Sequence, residues 1–256
     1  MLEITFLGTG TSQGVPVIAC TCPACRSEDP RDKRLRSSVL VKSENTTIVI
    51  DSGPDFRQQM LRAKVKKLDA VVFTHEHKDH ISGLDDVRSY NYIFKKPMDV
   101  YAEKRVIEAL RREYAYVFAE NPYPGIPKLK IHHIENKPFT VGDLEIIPIR
   151  GMHMKLPVFG FRIRDFTYMT DVSHIPETEK AKIAGSKVFA LNALRKEKHI
   201  SHFNLQEAVD VIRELKIPES YLTHVSHMMG KYEEVENELP GGISLAYDNL
   251  ILTLNE

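Results

Sequence analysis

A short apolar segment followed at once by a histidine-rich loop constrains the fold of this chain most. Residues 68–73 read Leu-Asp-Ala-Val-Val-Phe, a pattern that predicts a buried strand. His75, His77, Asp79 and His80 come directly after it. Reactive groups of α/β sheets lie at the carboxyl ends of strands, and imidazole and carboxylate groups bind zinc and similar ions. The segment therefore predicts an α/β sheet with a metal site at its edge, the alternative being a histidine-rich surface loop.

Three later strand ends carry side chains of the same kind. His153, Asp171 and His224 each come at the end of a predicted strand. Because parallel and mixed sheets bring strand ends to one edge, we expect these side chains to meet the histidine cluster. The predicted strands also form two sets separated by helices. This arrangement predicts two sheets packed face to face with helices outside, in a single domain over residues 1–256.

The number of candidate ligands indicates more than one metal ion. The set comprises five histidines and two aspartates: His75, His77, Asp79, His80, His153, Asp171 and His224. This exceeds the four ligands of a tetrahedral zinc, whereas two ions bridged by one carboxylate would accommodate it. Paired metals activate a water and stabilise both the attacking and the leaving oxygen. The predicted chemistry is hydrolysis of an ester, amide, thioester or phosphodiester, with zinc, manganese and iron all compatible with these ligands.

All three cysteines lie close together, at Cys20, Cys22 and Cys25. An odd, clustered set is unlike a disulfide framework and predicts a small metal-binding loop at about residues 20–25. Three thiolates leave a tetrahedral zinc one ligand short. The alternative is a set of free thiols packed as small apolar side chains.

The charge balance and the apolar pattern bear on partners and location. Lys and Arg number 35, and Asp and Glu also number 35, so nothing in the net charge indicates a nucleic acid partner. No apolar run approaches the ~20 residues of a membrane span, and the first residues do not resemble a secretory signal. We therefore expect a cytoplasmic enzyme with no membrane partner, and a homodimer as the default assembly.

Several local predictions concern the surroundings of the site. Asp51 ends a predicted strand, and could either orient a metal-bound histidine or serve as a turn or capping residue. Asp55 is predicted to cap a helix over residues 56–62. Helices are also expected over residues 81–87 and 205–215.

Taken together, these motifs resemble the metallo-β-lactamase superfamily. The segment from Thr74 to His80 resembles its metal motif, and residues 7–10 and 50–53 resemble its opening and the strand before that motif. The resemblance covers nearly the whole chain and implies a four-layer αββα sandwich with a dinuclear site at one edge of the sheets. In that family pattern, one metal is held by His75, His77 and His153, the other by Asp79, His80 and His224, and both by Asp171 as a bridge.

Residues 8–12 followed by the cysteine loop are similar to the cyclic phosphodiesterases of the carbon–phosphorus lyase pathway and to the related branch of tRNA-processing endonucleases. This resemblance implies a separate structural zinc bound by the three cysteines and His227, which could otherwise be a solvated loop residue. It also implies two zinc or manganese ions in the active site. His202 is the candidate general acid by position and by similarity, the alternative being a residue beside a helix N-cap.

The long arm that binds tRNA in the endonucleases has no obvious counterpart here. The expected substrate is therefore a small phosphodiester, cyclic ones included, with Asp79 and His202 in the catalytic set. The alternatives are an ester or thioester hydrolase on the same site, a tRNA 3′-processing-type nuclease, and a non-catalytic binding module stabilised by metal.

Overall fold

Two mixed sheets form the centre of the computed structural model, which describes residues 1–121 and 123–255. With strands numbered along the chain, the first sheet contains β1 (Leu2–Gly8), β2 (Ser38–Lys42), β3 (Thr47–Ile50), β4 (Ala70–Val72), β5 (Met98–Ala102), β6 (Leu129–His133) and β14 (Ile251–Leu254). The second contains β7 (Phe139–Val141), β8 (Leu144–His153), β9 (Leu156–Ile163), β10 (Phe166–Met169), β11 (Val188–Asn192), β12 (Glu219–Thr223) and β13 (Ile243–Leu245). Their spatial orders are β14-β1-β2-β3-β4-β5-β6 and β13-β12-β11-β10-β9-β8-β7.

Helices cover the outer face of each sheet. The helices of the described part of the chain are α1 (Pro23–Arg26), α2 (Phe56–Arg62), α3 (Lys78–Ile81), α4 (Arg88–Phe94), α5 (Lys104–Glu113), α6 (Glu177–Ile183), α7 (Leu205–Leu215) and α8 (Tyr232–Glu236). Phe56 of α2 and Leu110 of α5 pack on the first sheet, and Ile212 of α7 packs on the second. None of these helices has the length and apolar character needed to cross a bilayer. The layers run helix, sheet, sheet, helix, which confirms the predicted αββα sandwich.

Both faces of the central strands are covered, which explains why their sequences are almost continuously apolar. Ile48 and Ile50 of β3 point between the sheets, where they join Phe159 and Phe161 in one apolar cluster. Val49, between them, points outward into the cluster under the helices. Successive side chains of a strand point to opposite faces, so a strand buried on both faces needs apolar residues at every position.

The strand directions bring several carboxyl ends to one edge. β9 is antiparallel to both β8 and β10, so β8 and β10 run in the same direction. β10, β11 and β12 are mutually parallel, and in the first sheet β3, β4 and β5 are parallel. Residues that follow β4, β10 and β12, and the last residue of β8, therefore lie at equivalent strand ends.

The helix predicted over residues 81–87 is wrong in its bounds. The structure has the short α3, then a 3-10 turn at Leu84–Val87, and then α4, which the sequence pattern did not indicate. Gly83 interrupts the helix, because its backbone packs so closely on Gly53 that an added Cβ would come within 2.0 Å of the Gly53 carbonyl oxygen. The Gly83 N–H also donates to the Ser52 carbonyl, at 2.8 Å.

The predicted cap of α2 is also wrong, although the bounds of α2 agree with the prediction. The Asp55 carboxylate makes no capping hydrogen bond to α2 in the described residues. It accepts instead from the Arg36 backbone N–H, at 2.9 Å, and pairs with the Arg36 guanidinium, at 3.1 Å. An arginine within reach offers a charge-assisted hydrogen bond, which is stronger than a bond to a neutral helix N–H.

Candidate metal centre

The histidine-rich loop after β4 is largely buried at the edge of the sandwich. His75 and His80 are fully buried, while His77 is exposed and begins α3 as its N-cap. Gly53 lies directly against this loop, since an added Cβ would come within 2.0 Å of the Asp79 carbonyl oxygen. The loop therefore has little freedom to rearrange, and its side chains are held towards the second sheet.

Asp171 lies at the centre of the assembled side chains. One of its carboxylate oxygens is 3.2 Å from His80 Nε2 and 3.2 Å from His224 Nδ1. Among the described residues, three groups of ligand-type atoms lie within 4.8 Å of one another and share this aspartate: Asp79 with His80 and His224, His75 with His77, and His153 with His202. A carboxylate common to all three groups is suitably placed to bridge two ions.

The three histidines expected at one ion are close neighbours. The ring centroids of His75 and His77 are 4.6 Å apart, and those of His77 and His153 are 5.1 Å apart. The His153 Nδ1–H donates to the Ser201 carbonyl oxygen, at 2.7 Å. This bond orients the imidazole so that its Nε2 is the nitrogen left for a metal.

The site contains buried nitrogen atoms that a bound cation could pair with. Among the described residues, three buried ring nitrogens have no hydrogen-bond partner: His75 Nε2, His80 Nε2 and His202 Nδ1. Buried polar atoms are normally paired, and an unpaired one calls for an explanation such as an ion. Imidazole nitrogens gathered around carboxylates are a donor set that divalent metals accept, so these residues fit the metal ions that the resemblance implies.

The electrostatics of the centre depend on this crowding. Burial alone would raise the pKa of Asp171, but His224 and His80 outweigh it and hold the pKa well below its usual range. Burial and the nearby His80 lower the pKa of His75 well below its usual value. Asp171 is therefore an anion and His75 a neutral imidazole, which are the forms that bind metal.

Asp51 lies beneath the site and contacts the motif directly. Its carboxylate accepts from His80 Nδ1–H at 2.7 Å, from the Thr74 backbone N–H at 2.9 Å and from the Thr74 hydroxyl at 2.7 Å. These contacts favour the role of orienting a histidine over that of a turn residue. With Nδ1 occupied, His80 presents Nε2 to Asp79 and Asp171, each 3.2 Å away.

Replacing Asp51 with asparagine is expected to weaken metal binding or activity roughly 10- to 100-fold. An amide cannot accept from both His80 and the Thr74 N–H without turning its own NH₂ group towards one of these donors. The measurement is metal content after dialysis against graded chelator, together with kcat/KM. Asp55→Asn is the matched control, because Asp55 is four residues away and pairs only with Arg36 in the described chain; equal losses in both variants would contradict the role of Asp51.

The cysteine loop forms a second, separate group. The three sulfur atoms surround His227 Nδ1, with Cys20 Sγ at 3.2 Å, Cys22 Sγ at 3.4 Å and Cys25 Sγ at 3.6 Å. A hydrogen bond from the Cys25 backbone N–H lowers the pKa of the Cys22 thiol to about 6, while burial raises that of Cys25 to about 11. Only Cys25 is buried, so packing as small apolar side chains does not explain the arrangement. Three sulfurs and one imidazole nitrogen are a donor set typical of structural zinc.

His202 lies inside the site rather than merely beside the N-terminus of α7. Its ring is 4.6 Å from that of His153 and 5.0 Å from that of His224, and its Nδ1 is 3.8 Å from an Asp171 oxygen. Burial lowers the pKa of His202 to about 3, so the imidazole is neutral near pH 7. The cap of α7 is Asn204, which accepts from the Glu207 N–H at 2.8 Å.

The structure also shows supporting contacts that the sequence did not indicate. The Ser201 carbonyl that orients His153 is a backbone group, so no residue type signals it. Arg105 pairs with Glu76 of the motif at 2.8 Å, and Lys78 of the motif pairs with Glu113 of α5. His132, on β6, lies outside the centre and pairs with Asp99, at 2.6 Å.

Comparison with known proteins gives one consistent family. The family model described as "Beta-lactamase superfamily domain" matches residues 46–225. A curated octanoyltransferase of Porphyromonas gingivalis is 42% identical over 258 residues, which cover 100% of this chain and 52% of that protein. A ribonuclease Z of Methanosarcina acetivorans is 28% identical over 169 residues, which cover 64% of this chain and 48% of that protein. The chain thus spans about half the length of the curated relatives it matches.

Solved structures agree with this family. A structure described as a new diphosphatase from the PhnP family has a TM-score of 0.93 and 36% identity, covering 100% of this chain and 98% of that one. Zn²⁺-bound PqqB from Methylobacterium extorquens has a TM-score of 0.77 at 18% identity, covering 98% of this chain and all of that one, which shows a shared fold. The fold implies divalent metal ions at the strand-end site. The predicted resemblance is confirmed, and the chain belongs to the beta-lactamase superfamily, with the metallo-β-lactamase fold.

Proposed function

We propose that this metal-dependent hydrolase cleaves small phosphate compounds, either phosphodiesters at an ester bond or diphosphate diesters at the anhydride bond. The main support is the solved diphosphatase of the PhnP family, which is 36% identical to this chain over nearly its whole length. The assembled histidines and aspartates supply the donors that such chemistry needs. A phosphodiester and a diphosphate present the same problem, a tetrahedral phosphorus with an oxygen leaving group and a negative charge to be stabilised.

In this proposal the chain binds the metals with the residues predicted from its sequence. His75, His77 and His153, whose rings are neighbours, would hold one ion. Asp79, His80 and His224 would hold the other, with Asp171 near both sets. Bound there, zinc or manganese would supply Lewis acidity towards a phosphoryl oxygen and lower the pKa of a water towards neutrality. Cys20, Cys22, Cys25 and His227 would hold a third, structural zinc.

Side chains of the chain would then donate a proton to the substrate and hold the ligand imidazoles in position. His202 is the proposed general acid that protonates the leaving oxygen. Its imidazole is neutral when the site is empty of substrate, and an anionic phosphate beside it favours the protonated form. Asp171 and Asp79 are anionic groups that contact His80 Nε2, and Asp51 orients the same imidazole by accepting from its Nδ1–H.

The test is hydrolysis of bis(p-nitrophenyl) phosphate and of a diphosphate diester by the purified protein supplied with zinc or manganese. We expect turnover of both classes and none in Asp79→Ala, which should remain folded by circular dichroism. Ester, thioester and β-lactam substrates and a tRNA precursor are the comparison set. Faster cleavage of any of these than of both phosphates, with either metal, would reject the proposal.

The second candidate is an ester or thioester hydrolase on the same site. It is favoured by the 42% identity to a protein named octanoyltransferase. That name belongs to a protein of which this chain covers 52%, so it describes more than the matched half. A nuclease of the ribonuclease Z type has weaker support, at 28% identity over 64% of the chain.

A further inference from the structure

Three exposed apolar side chains lie close in sequence to residues of the two candidate metal groups. Met154 directly follows His153, Ile200 lies two residues before His202, and Met228 directly follows His227. Their exposed fractions are 52%, 78% and 51%. Large apolar side chains this exposed are costly to leave in water, and grouped ones commonly mark a binding surface. We refer to Met154, Ile200 and Met228 as the apolar rim.

Contacts on the loop of residues 195–202 bring the rim together. The bond from His153 Nδ1–H to the Ser201 carbonyl, 2.7 Å long, places the turn that holds Met154 beside Ile200. The Arg195 Nη1 atom is 3.6 Å from Met228 Sδ. Its Nη2 donates to the Lys198 carbonyl oxygen, at 2.9 Å. Met154 and Ile200 therefore lie on segments that touch one another beside His153, and Met228 contacts Arg195 of the same loop.

Met154 has a left-handed backbone conformation that is unfavourable for a bulky residue. It is the first residue of the two-residue turn between β8 and β9, where His153 pairs with Leu156. Its φ is 56°, a left-handed value at which glycine or asparagine is favoured and a bulky residue is unusual. Its N–H donates to Ser173 Oγ at 3.1 Å, which fixes the turn. A bulky side chain kept at a strained turn beside a candidate ligand points to a function for that side chain.

We propose that the apolar rim binds an aromatic or other apolar substituent carried by the phosphate substrate. This inference rests on the proposed function and specifies its substrate class. Thioether groups pack favourably on aromatic rings, and the Arg195 guanidinium, which contacts Met228 Sδ, adds a positive charge to the same segments. The rim is small and carries a single fixed arginine, so it suits one apolar substituent rather than a long polyanion.

The test compares the binding of phenylphosphonate and methylphosphonate to the metal-loaded protein by calorimetry. The two probes share one anionic head group and differ only in the apolar substituent. We expect the wild type to prefer phenylphosphonate by about tenfold, on the scale of one ring losing contact with water. Ile200→Ser and Met154→Gly should reduce the preference to about twofold, since each removes part of the rim. Glycine suits the Met154 backbone, so that variant should fold.

Ile251→Ser is the matched control, because Ile251 is 57% exposed on the edge strand β14 and should not affect the preference. Equal or absent binding of the two probes by the wild type, or an unchanged preference in both rim variants, would overturn the inference. Because binding is measured without turnover, the experiment distinguishes failure of the proposed function from failure of the apolar rim. A protein that keeps the preference but cleaves neither a phosphodiester nor a diphosphate diester would reject the proposed function alone. One that cleaves either substrate but shows no preference between the two phosphonates would reject the rim alone.

Discussion

Asp171→Asn is expected to lower kcat/KM for bis(p-nitrophenyl) phosphate on the order of 10³-fold, about 4 kcal/mol of transition-state stabilisation. Asp171 is the group shared by the three candidate ligand sets, and its carboxylate contacts His80 and His224 at 3.2 Å each. An amide has the same shape but no charge and only one acceptor oxygen. It therefore cannot bridge two cations, and both proposed ions should bind less tightly.

The measurement combines kcat/KM with metal content per chain and a thermal melt. Asp165→Asn is the matched control, because Asp165 lies at the opposite end of β10 and pairs with Lys187 on the surface, at 2.7 Å. We expect it to retain activity within about twofold, as surface pairs contribute little. If Asp171→Asn kept more than a tenth of wild-type activity with its metals bound, the bridging role would be wrong.

The parts of this site that could be predicted from sequence are those encoded by strand ends. His75, His77, Asp79 and His80 all follow one buried strand, so they must lie together at the edge of the sheet where that strand ends. His153, Asp171 and His224 come from strands that the hydrophobic pattern also identified. The structure brings all seven together, and their binding of metal stays a prediction.

The parts that sequence reasoning missed depend on tertiary packing. The break between α3 and α4 comes from the close approach of Gly83 to Gly53, thirty residues earlier in the chain. Asp55 has the sequence position of a helix cap, but its carboxylate bonds to Arg36 instead of to the helix. The acceptor that orients His153 is the Ser201 carbonyl. Contacts of this kind leave no periodic or compositional pattern, because they join residues that only the folded chain makes neighbours.

Cys22→Ala is expected to remove one metal ion per chain and to lower Tm by roughly 10 °C. A bound ligand at 100 to 1,000 times its Kd stabilises the fold by about 3–4 kcal/mol, and each kcal/mol corresponds to about 2–4 °C in a chain of this size. The Cys22 sulfur is one of three that face His227 Nδ1, and without it the group has too few donors for a closed tetrahedral site. Elemental analysis and a thermal melt measure both effects. Thr21→Ala, at the exposed position between two of the cysteines, should change neither.

Activity in the same Cys22→Ala variant should fall only a few-fold, although His227 is three residues from His224. The segment between the two histidines is held by its own backbone bonds, from Val225 N–H to the Thr9 carbonyl at 2.9 Å and from Ser226 N–H to the Leu194 carbonyl at 2.9 Å. The Thr11 N–H donates to the Val225 carbonyl, at 3.1 Å. Because these bonds do not involve the cysteines, His224 should keep its place at Asp171 when the cysteine site is empty. A stable protein that retained all its metals after Cys22→Ala would show that the cysteines are not ligands. A thousandfold loss of activity would show instead that the cysteine site positions His224, and the two metal sites would then have to be treated as one coupled unit.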